Sequence, residues 1–222
     1  YSVAPGWANR PANWVDWGDA ARFANWLHNG QPNGLQNLST TEDGSYFLVD
    51  TSLLAVQREP DATWVIPTED EWYKAAYYKG GGTDAGYWEY PTQSDAPPTS
   101  EPPPGTDLSN GSANRREAAN DLVDDTEYTT DVGAYDAKPS DSPYGTFDQG
   151  GNVYEWNETY LTTFGRPYRG LRGGSFYLGH DHMRADYRGF GAIPWYDHAT
   201  SGFRVGMVPE PTTLVIWALA ST

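Results

Sequence analysis

Glycine and proline constrain the fold of this chain more than any other residues, because 24 glycines and 17 prolines are spread over its 222 positions. Both residue types interrupt helices and strands and favour turns. Few positions therefore remain to form a hydrophobic core, and the large rings of 10 Trp, 16 Tyr and 7 Phe can supply the apolar surface that it buries. Trp and Tyr also carry a polar atom that needs a hydrogen-bond partner when buried. The composition predicts one loop-rich domain of ordinary size that is held together by half-polar aromatic side chains.

Two counts exclude whole classes of function. The chain has no cysteine, which excludes disulfides, iron-sulfur clusters, cysteine-ligated zinc, thiolate copper sites and a cysteine nucleophile. It has 14 Lys and Arg against 30 Asp and Glu, for a net charge of −16. This charge repels phosphate backbones and anionic lipid head groups. We therefore expect no nucleic-acid partner.

Two segments in the first 80 residues have the pattern of amphipathic helices. The first follows Asp16, a capping residue, and spaces its apolar residues helically before Gly30. The second follows Thr68, which can form a capping box with Glu71, and is predicted to run to the glycines at 80–82. Short β-prone runs occur at 46–49, 64–66, 153–156 and 202–207, and a long loop is predicted between 80 and 114. The pattern is that of an α+β domain.

The last residues differ in character from the rest. Val208-Pro209-Glu210-Pro211 precedes an uncharged apolar run at 212–220 that is too short to span a bilayer. One interpretation is a last core strand. The other is a sorting tail, because the pattern resembles the PEP-CTERM signal of Gram-negative, exopolysaccharide-associated proteins. On that interpretation 1–207 is the domain, without its N-terminal part, and 208–222 is a truncated PEP-CTERM-like sorting tail. The protein would then be extracellular or on the cell surface of a Gram-negative-type bacterium, with the tail of the full-length chain as its only membrane contact.

Several short motifs occur in a fixed order along the chain. They are NWVDW at 13–17, IPTEDEW at 66–72, GNVYEW at 151–156, LRGGSF at 171–176, RADYR at 184–188 and GFRV at 202–205. Together they resemble the formylglycine-generating enzyme family, the sulfatase-modifying factor domain. The resemblance implies a variant of the C-type-lectin-like fold, which is one compact α+β domain with few regular elements and much irregular loop.

The arginines of these motifs can also be interpreted without the family. Arg172, Arg184, Arg188 and Arg204 lie beside glycine or aromatic residues in an acidic chain. Buried guanidinium groups that bind loop carbonyls and carboxylates would hold irregular backbone together. An anion-binding cleft is the alternative.

The resemblance implies a copper site that this chain does not have. In catalytic members of the family, two cysteines after the Arg-Gly-Gly-Ser motif bind copper(I) and oxidise a sulfatase cysteine to formylglycine. Here the first would fall at about Leu178 and the second near 181–183, and no thiol is present. Copper(I) needs soft ligands, which leucine and carboxylate cannot provide. We therefore expect no bound copper and no oxidase activity, although the enzyme class stays open, with an active formylglycine-generating oxidase as one alternative.

Three histidines suggest a different metal site. His180 and His182 stand at i and i+2, where an extended segment would point both side chains to one face, and His198 could approach from a later loop. An imidazole site for zinc or copper(II), in a metal-dependent enzyme, is the second alternative. A polar surface turn explains the same residues.

Hard cations suit this sequence better, because acids are dense from 121 to 148. The resemblance implies a calcium site formed by the side chains of Asp148 and Glu155 and the carbonyls of Gly151 and Val153. It implies a second, weaker site from Asn114 with Asp124 or Asp125. A solvated acidic face is the other interpretation of these acids.

Taken together, the sequence predicts an exported binding or structural module with a structural calcium ion and a protein or glycan ligand. Exposed Trp and Tyr rings stack well on sugars and on peptide side chains. The candidate recognition loops carry Tyr87, Trp88 and Tyr90, and Trp195 and Tyr196. Core packing is the other explanation for each ring.

Overall fold

The computed structural model describes residues 5–118, 121–138, 140–163, 165–188 and 191–208. The predicted sorting tail therefore lies outside the described residues, apart from Val208. Within the described ranges no helix is both long enough and apolar enough to cross a membrane.

Both predicted helices form, and their caps explain where they begin. α1 spans Trp17–His28, and the side chain of Asp16 accepts a hydrogen bond from the Asp19 N–H. α2 spans Glu69–Tyr77 and starts with the predicted capping box of Thr68 and Glu71. The prediction that α2 runs to the glycines was wrong. Tertiary pairing ends it early, because Tyr78 is extended and forms a bridge with Tyr87.

In the part of the chain that the structure describes, seven strands form three small sheets. β1 (Trp64–Val65) pairs antiparallel with β7 (Gly206–Met207), and β2 (Thr99–Ser100) pairs parallel with β3 (Ser112–Ala113). The third sheet has the order β5-β4-β6, formed by β4 (Tyr154–Thr163), β5 (Arg166–Arg172) and β6 (Ser201–Phe203). β4 is antiparallel to β5, with a bulge between Trp156 and Tyr160, and parallel to β6. A 3₁₀ helix covers His180–Met183.

Two strand predictions and one loop prediction need correction. The run at 46–49 makes a single bridge, Tyr46 to Arg58, because the Asn25 side chain takes both backbone hydrogen bonds of Tyr46. The run at 202–207 divides between two sheets, as β6 and β7. The predicted loop between 80 and 114 contains β2 and β3. β5 was not predicted at all.

Indole rings form the centre of the core. Trp17, Trp72 and Trp156 are fully buried, and each indole N–H donates to a protein oxygen, as the composition predicted. Burying one such ring contributes about 4–6 kcal/mol as an upper estimate. The main cluster packs α1 against β1 and β4, and a second cluster forms under α2 around Trp72 and Tyr77.

Candidate functional site

The region where the resemblance places the two thiols follows β5. Gly173 and Gly174 have φ of 93° and 71°, and a Cβ on Gly173 would lie 2.8 Å from the Gln149 carbonyl oxygen. Both glycines are thus required by the turn. Leu178 is half-buried, and Met183 is fully buried against Tyr90 and Ala113. A core thioether and an aliphatic side chain therefore occupy the region of the two thiols.

The structure does not assemble the three histidines into a metal site. His180 and His182 lie on the 3₁₀ helix, where residues two apart point about 120° away from each other, so the prediction of a shared face on an extended segment was wrong. The His180 Nδ1 lies 3.0 Å from the Tyr90 hydroxyl. His182 packs edge-on against Tyr187, whereas His198 lies in a later loop, where its Nδ1 is 2.8 Å from the Thr200 hydroxyl. Among the described residues no group of three His, Asp or Glu side chains could hold a metal ion.

Two of the four motif arginines bind loop carbonyls and carboxylates as the sequence predicted, and of these Arg172 is buried and Arg204 is half-buried. Arg172 is 3% exposed, pairs with Glu69 at 3.0 Å and donates to the Ala185 and Tyr187 carbonyls. Arg204 donates to both carboxylate oxygens of Glu155 and to the Phe147 carbonyl. These contacts tie separate loops together.

The other two motif arginines lie at the surface, contrary to that prediction. Arg184 pairs with Glu89 and with Asp186 at 2.9 Å. The Arg188 side chain is 65% exposed, although it reaches the buried Glu69 at 2.9 Å. Their partners are carboxylates, so none of the four marks an open anion-binding cleft.

The first predicted calcium site lies in a cleft of about 400 Å³. Its Glu155 is 4% exposed, and its carboxylate accepts from Arg204 and from the Trp72 indole N–H at 2.6 Å. The Asp148 Oδ2 accepts from the Gly133 N–H at 2.6 Å. Burial raises the pKa of Asp148 to about 6. The effect of burial outweighs that of the Gly133 hydrogen bond and of Arg204, which both lower the pKa. The set does not fit a calcium ion while Arg204 pairs with Glu155, because a guanidinium already neutralises that carboxylate.

The second predicted site has one open ligand. The Asn114 amide nitrogen donates to the Tyr128 carbonyl at 2.9 Å, whereas its Oδ1 is buried and has no hydrogen-bond partner in the described structure. Asp124 is engaged elsewhere, since its Oδ2 lies 3.4 Å from Arg10 and its Oδ1 accepts two backbone N–H groups of its own turn. An oxygen-ligated cation would suit the Asn114 carbonyl.

The predicted recognition loops differ in exposure. Tyr87 is 47% exposed within a group of tyrosines, but Tyr90 is core. Trp88 lies beneath the Lys79 ammonium, 4.3 Å from the ring centroid. Trp195 and Tyr196 are both exposed. The second loop thus presents its rings to solvent, whereas the first does so only in part.

An aromatic cleft beside the second loop was not predicted as a unit. The cleft has a volume of about 470 Å³ and lies on the three-stranded sheet. Each of the three strands contributes residues to its lining. Its lining residues are Tyr154, Arg166, Tyr168, Leu171, Tyr187, Gly191, Ala192, Ile193, Tyr196, Thr200 and Ser201. They come from segments far apart in the sequence, so only the abundance of tyrosine pointed toward it.

Exposed rings continue from this cleft onto the neighbouring surface. Tyr196 stacks on His198 with centroids 5.6 Å apart and planes 9° apart. Trp14 lies 5.8 Å from His198 with the ring planes tilted by 41°, and it is 59% exposed. The backbone N–H of Trp14 donates to the His198 carbonyl at 3.0 Å. We call Trp14, His198 and Tyr196 the aromatic platform.

Known proteins share this fold over nearly the whole chain. CarF aligns with a TM-score of 0.59 at 20% identity, covering 94% of this chain and 72% of CarF. Treponema denticola variable protein 1 aligns at 0.56 and 22%, covering 94% and 76% of the two chains. PvdO from Pseudomonas aeruginosa aligns at 0.51 and 21%, covering 92% and 63%. No curated protein matches the chain.

At these identities the solved structures show the fold alone. A family model extends the comparison, because the model for the sulfatase-modifying factor enzyme 1-like domain matches residues 2–207. That range contains every motif from which the family was predicted, so the prediction of the family is confirmed. The chain belongs to the sulfatase-modifying factor enzyme 1-like domain family.

Proposed function

We propose that this protein is an exported member of its family that acts as a binding or structural module and does not oxidise cysteine. One observation carries the proposal: the chain has no cysteine, and Leu178 and the core residue Met183 occupy the region of the family's copper thiolates. A buried thioether without thiolate partners cannot replace a copper(I) site. A fold can persist after the chemistry of its site is lost.

The scaffold supports a role in binding. Short sheets and the helices α1 and α2 hold long loops, and the loops present aromatic rings, which agrees with a C-type-lectin-like arrangement. Loops on a rigid scaffold are where recognition residues concentrate. The ligand in this proposal is a protein or a glycan, and the net charge of −16 disfavours nucleic acid.

Export is proposed from the sequence pattern at 208–222. The Val-Pro-Glu-Pro motif and the apolar run after it support a PEP-CTERM-like sorting tail on an extracellular or cell-surface protein. In this proposal the tail provides the only membrane contact.

A structural calcium ion is proposed at the second site, where Asn114 and Asp124 would hold it together with backbone carbonyls. The unpartnered Asn114 Oδ1 supports it, and Asp124 would have to leave Arg10. EGTA should then lower the melting temperature, and calcium should bind with measurable heat. If neither change is observed, calcium is not part of this protein.

The oxidase alternative has a direct test. The protein is incubated with copper, oxygen and a Cys-x-Pro-x-Arg peptide beside a cysteine-containing family member as positive control. We expect the control to form the aldehyde, detected as a loss of mass from the peptide, and this protein to leave the peptide unchanged. Aldehyde formation by this protein would overturn the proposal.

A further inference from the structure

We propose that the aromatic cleft and platform bind an oligosaccharide of neutral pyranoses. The inference rests on the proposed function, because it names the ligand of the binding module. Pyranose rings present flat C–H faces that pack on exposed aromatic rings, and their hydroxyls need hydrogen-bond partners at the edges. The site offers both kinds of contact.

The platform groups three exposed rings beside the cleft. Trp14 lies 5.8 Å from His198 with the ring planes tilted by 41°, and Tyr196, which stacks on His198 at 5.6 Å, also lines the cleft. A saccharide can thus pack against the exposed parts of these rings and place one end in the cleft. The volume of about 470 Å³ is within the range of small-ligand sites.

Trp14 is held on this surface against its own backbone preference. Its φ of 56° is a rare conformation for a bulky residue, and its ring gains little from burial because it is 59% exposed. Two hydrogen bonds fix the segment to the opposite loop, from the Trp14 N–H to the His198 carbonyl and from the Asn13 side chain to the Ala199 carbonyl. Strain of this kind, maintained by surrounding contacts, is typical of functional positions.

The cleft supplies polar groups for sugar hydroxyls. Ser201 is 1% exposed, lines the cleft, and its Oγ has no hydrogen-bond partner in the described structure. Thr200 and four tyrosines add hydroxyl groups, and Arg166 adds guanidinium donors. A buried hydroxyl without a partner is costly, and a ligand hydroxyl would satisfy it.

Charge and rigidity favour a neutral ligand that finds the site already formed. The net charge of −16 opposes the approach of acidic polysaccharides. The floor of the cleft is fixed, because Ala192 exchanges both backbone hydrogen bonds with Arg169 of β5. Little ordering should therefore accompany binding.

The test is a titration of the protein with tetrasaccharides, followed by tryptophan fluorescence and calorimetry at physiological salt. The neutral probes are cellotetraose, chitotetraose and mannotetraose; an acidic tetragalacturonate and a polyproline peptide serve as competing classes. We expect saturable binding of at least one neutral probe. Trp14→Ala and Tyr196→Ala should each weaken that binding about tenfold, the value of one stacking contact. Tyr144→Ala removes a ring that is 51% exposed outside the site, and should leave binding unchanged.

Thermal unfolding of each variant separates lost binding from lost folding, and Trp14→Gly removes the ring without the strain of a Cβ at positive φ. The inference is overturned if no neutral probe binds, if the acidic probe or the peptide binds more tightly, or if binding survives both substitutions. These outcomes differ from failure of the proposed function, which shows as aldehyde formation in the copper assay.

Discussion

Replacing Asp148 with Asn tests whether this carboxyl is a buried acid or a calcium ligand. Asp148 is partly buried in a cleft with Glu155 and Arg204. Burial is the largest cause that raises its pKa to about 6 from the ordinary 3.8, and Glu155 adds to the increase. Asn keeps the oxygen that accepts from the Gly133 N–H, and it tolerates the φ of 56° at this position. The substitution therefore removes the charge and little else.

The sign of the effect follows from proton linkage. Because the folded protein holds the proton of Asp148 more tightly than the unfolded chain, this contribution to stability is fully present below pH 3.8 and is lost as pH rises through about 6. A difference of about two pKa units corresponds to about 3 kcal/mol, and water in the open cleft reduces this to about 1–2 kcal/mol. Asp148→Asn should raise the free energy of unfolding by that amount near pH 8 and change it little near pH 4.

Urea unfolding followed by tryptophan fluorescence, in EGTA at both pH values, measures this difference. Asp131→Asn is the control, since Asp131 is an exposed acid of the same region and its replacement removes the same charge. A calcium ligand would behave in the opposite way: added calcium would stabilise the natural protein, and Asp148→Asn would lose that gain. If the variant is less stable than the natural protein in EGTA near pH 8, the buried-acid reasoning is refuted.

Three further substitutions test the contacts that hold the loops. Arg204→Gln should destabilise the protein by about 2–4 kcal/mol because it leaves the buried Glu155 without its cation, and adding Glu155→Gln should restore part of the loss in a double-mutant cycle. Arg169→Lys should cost about 2 kcal/mol in urea unfolding, since a lysine cannot reach all three carbonyls that the Arg169 guanidinium binds. Thr68→Ala should cost about 1 kcal/mol through the lost capping box, and an equal loss from Thr51→Ala, a surface threonine outside the helices, would contradict that assignment.

Local signals in the sequence predicted the helices well. The caps at Asp16 and Thr68 need only neighbouring residues, so both helix starts were correct. The end of α2 depends on the pairing of Tyr78 with Tyr87, which no local pattern reveals. The sheet was predicted less well for the same reason. β5 carries three arginines, a proline and a glycine, and it becomes a strand through pairing with β4.

Prediction of the candidate site was limited still more by contacts between residues that are distant in the sequence. The motifs identified Arg172 and Arg204, but not Arg169, which is 3% exposed and lies over the Trp17 ring at 4.0 Å. The aromatic platform joins Trp14 to residues more than 180 positions later. Only the fold brings those rings together. From the sequence alone, an aromatic residue that becomes exposed cannot be distinguished from one that is buried in the core.

The two ion pairs that join the loops of this scaffold do not involve the positions where the resemblance places the family's thiols. The Arg172–Glu69 ion pair joins β5 to α2, and the Arg204–Glu155 ion pair joins the segment before β7 to β4. All four side chains lie outside 178–183. The turn after β5 depends on Gly173 rather than on any side chain that could bind copper. Met183 even adds core contacts where a thiolate would need access to solvent. The fold therefore loses little stability without the thiols. Met183→Cys is expected to destabilise the protein, because the smaller cysteine side chain leaves a void in the core that Met183 fills. We expect a loss of about 1–2 kcal/mol in urea unfolding.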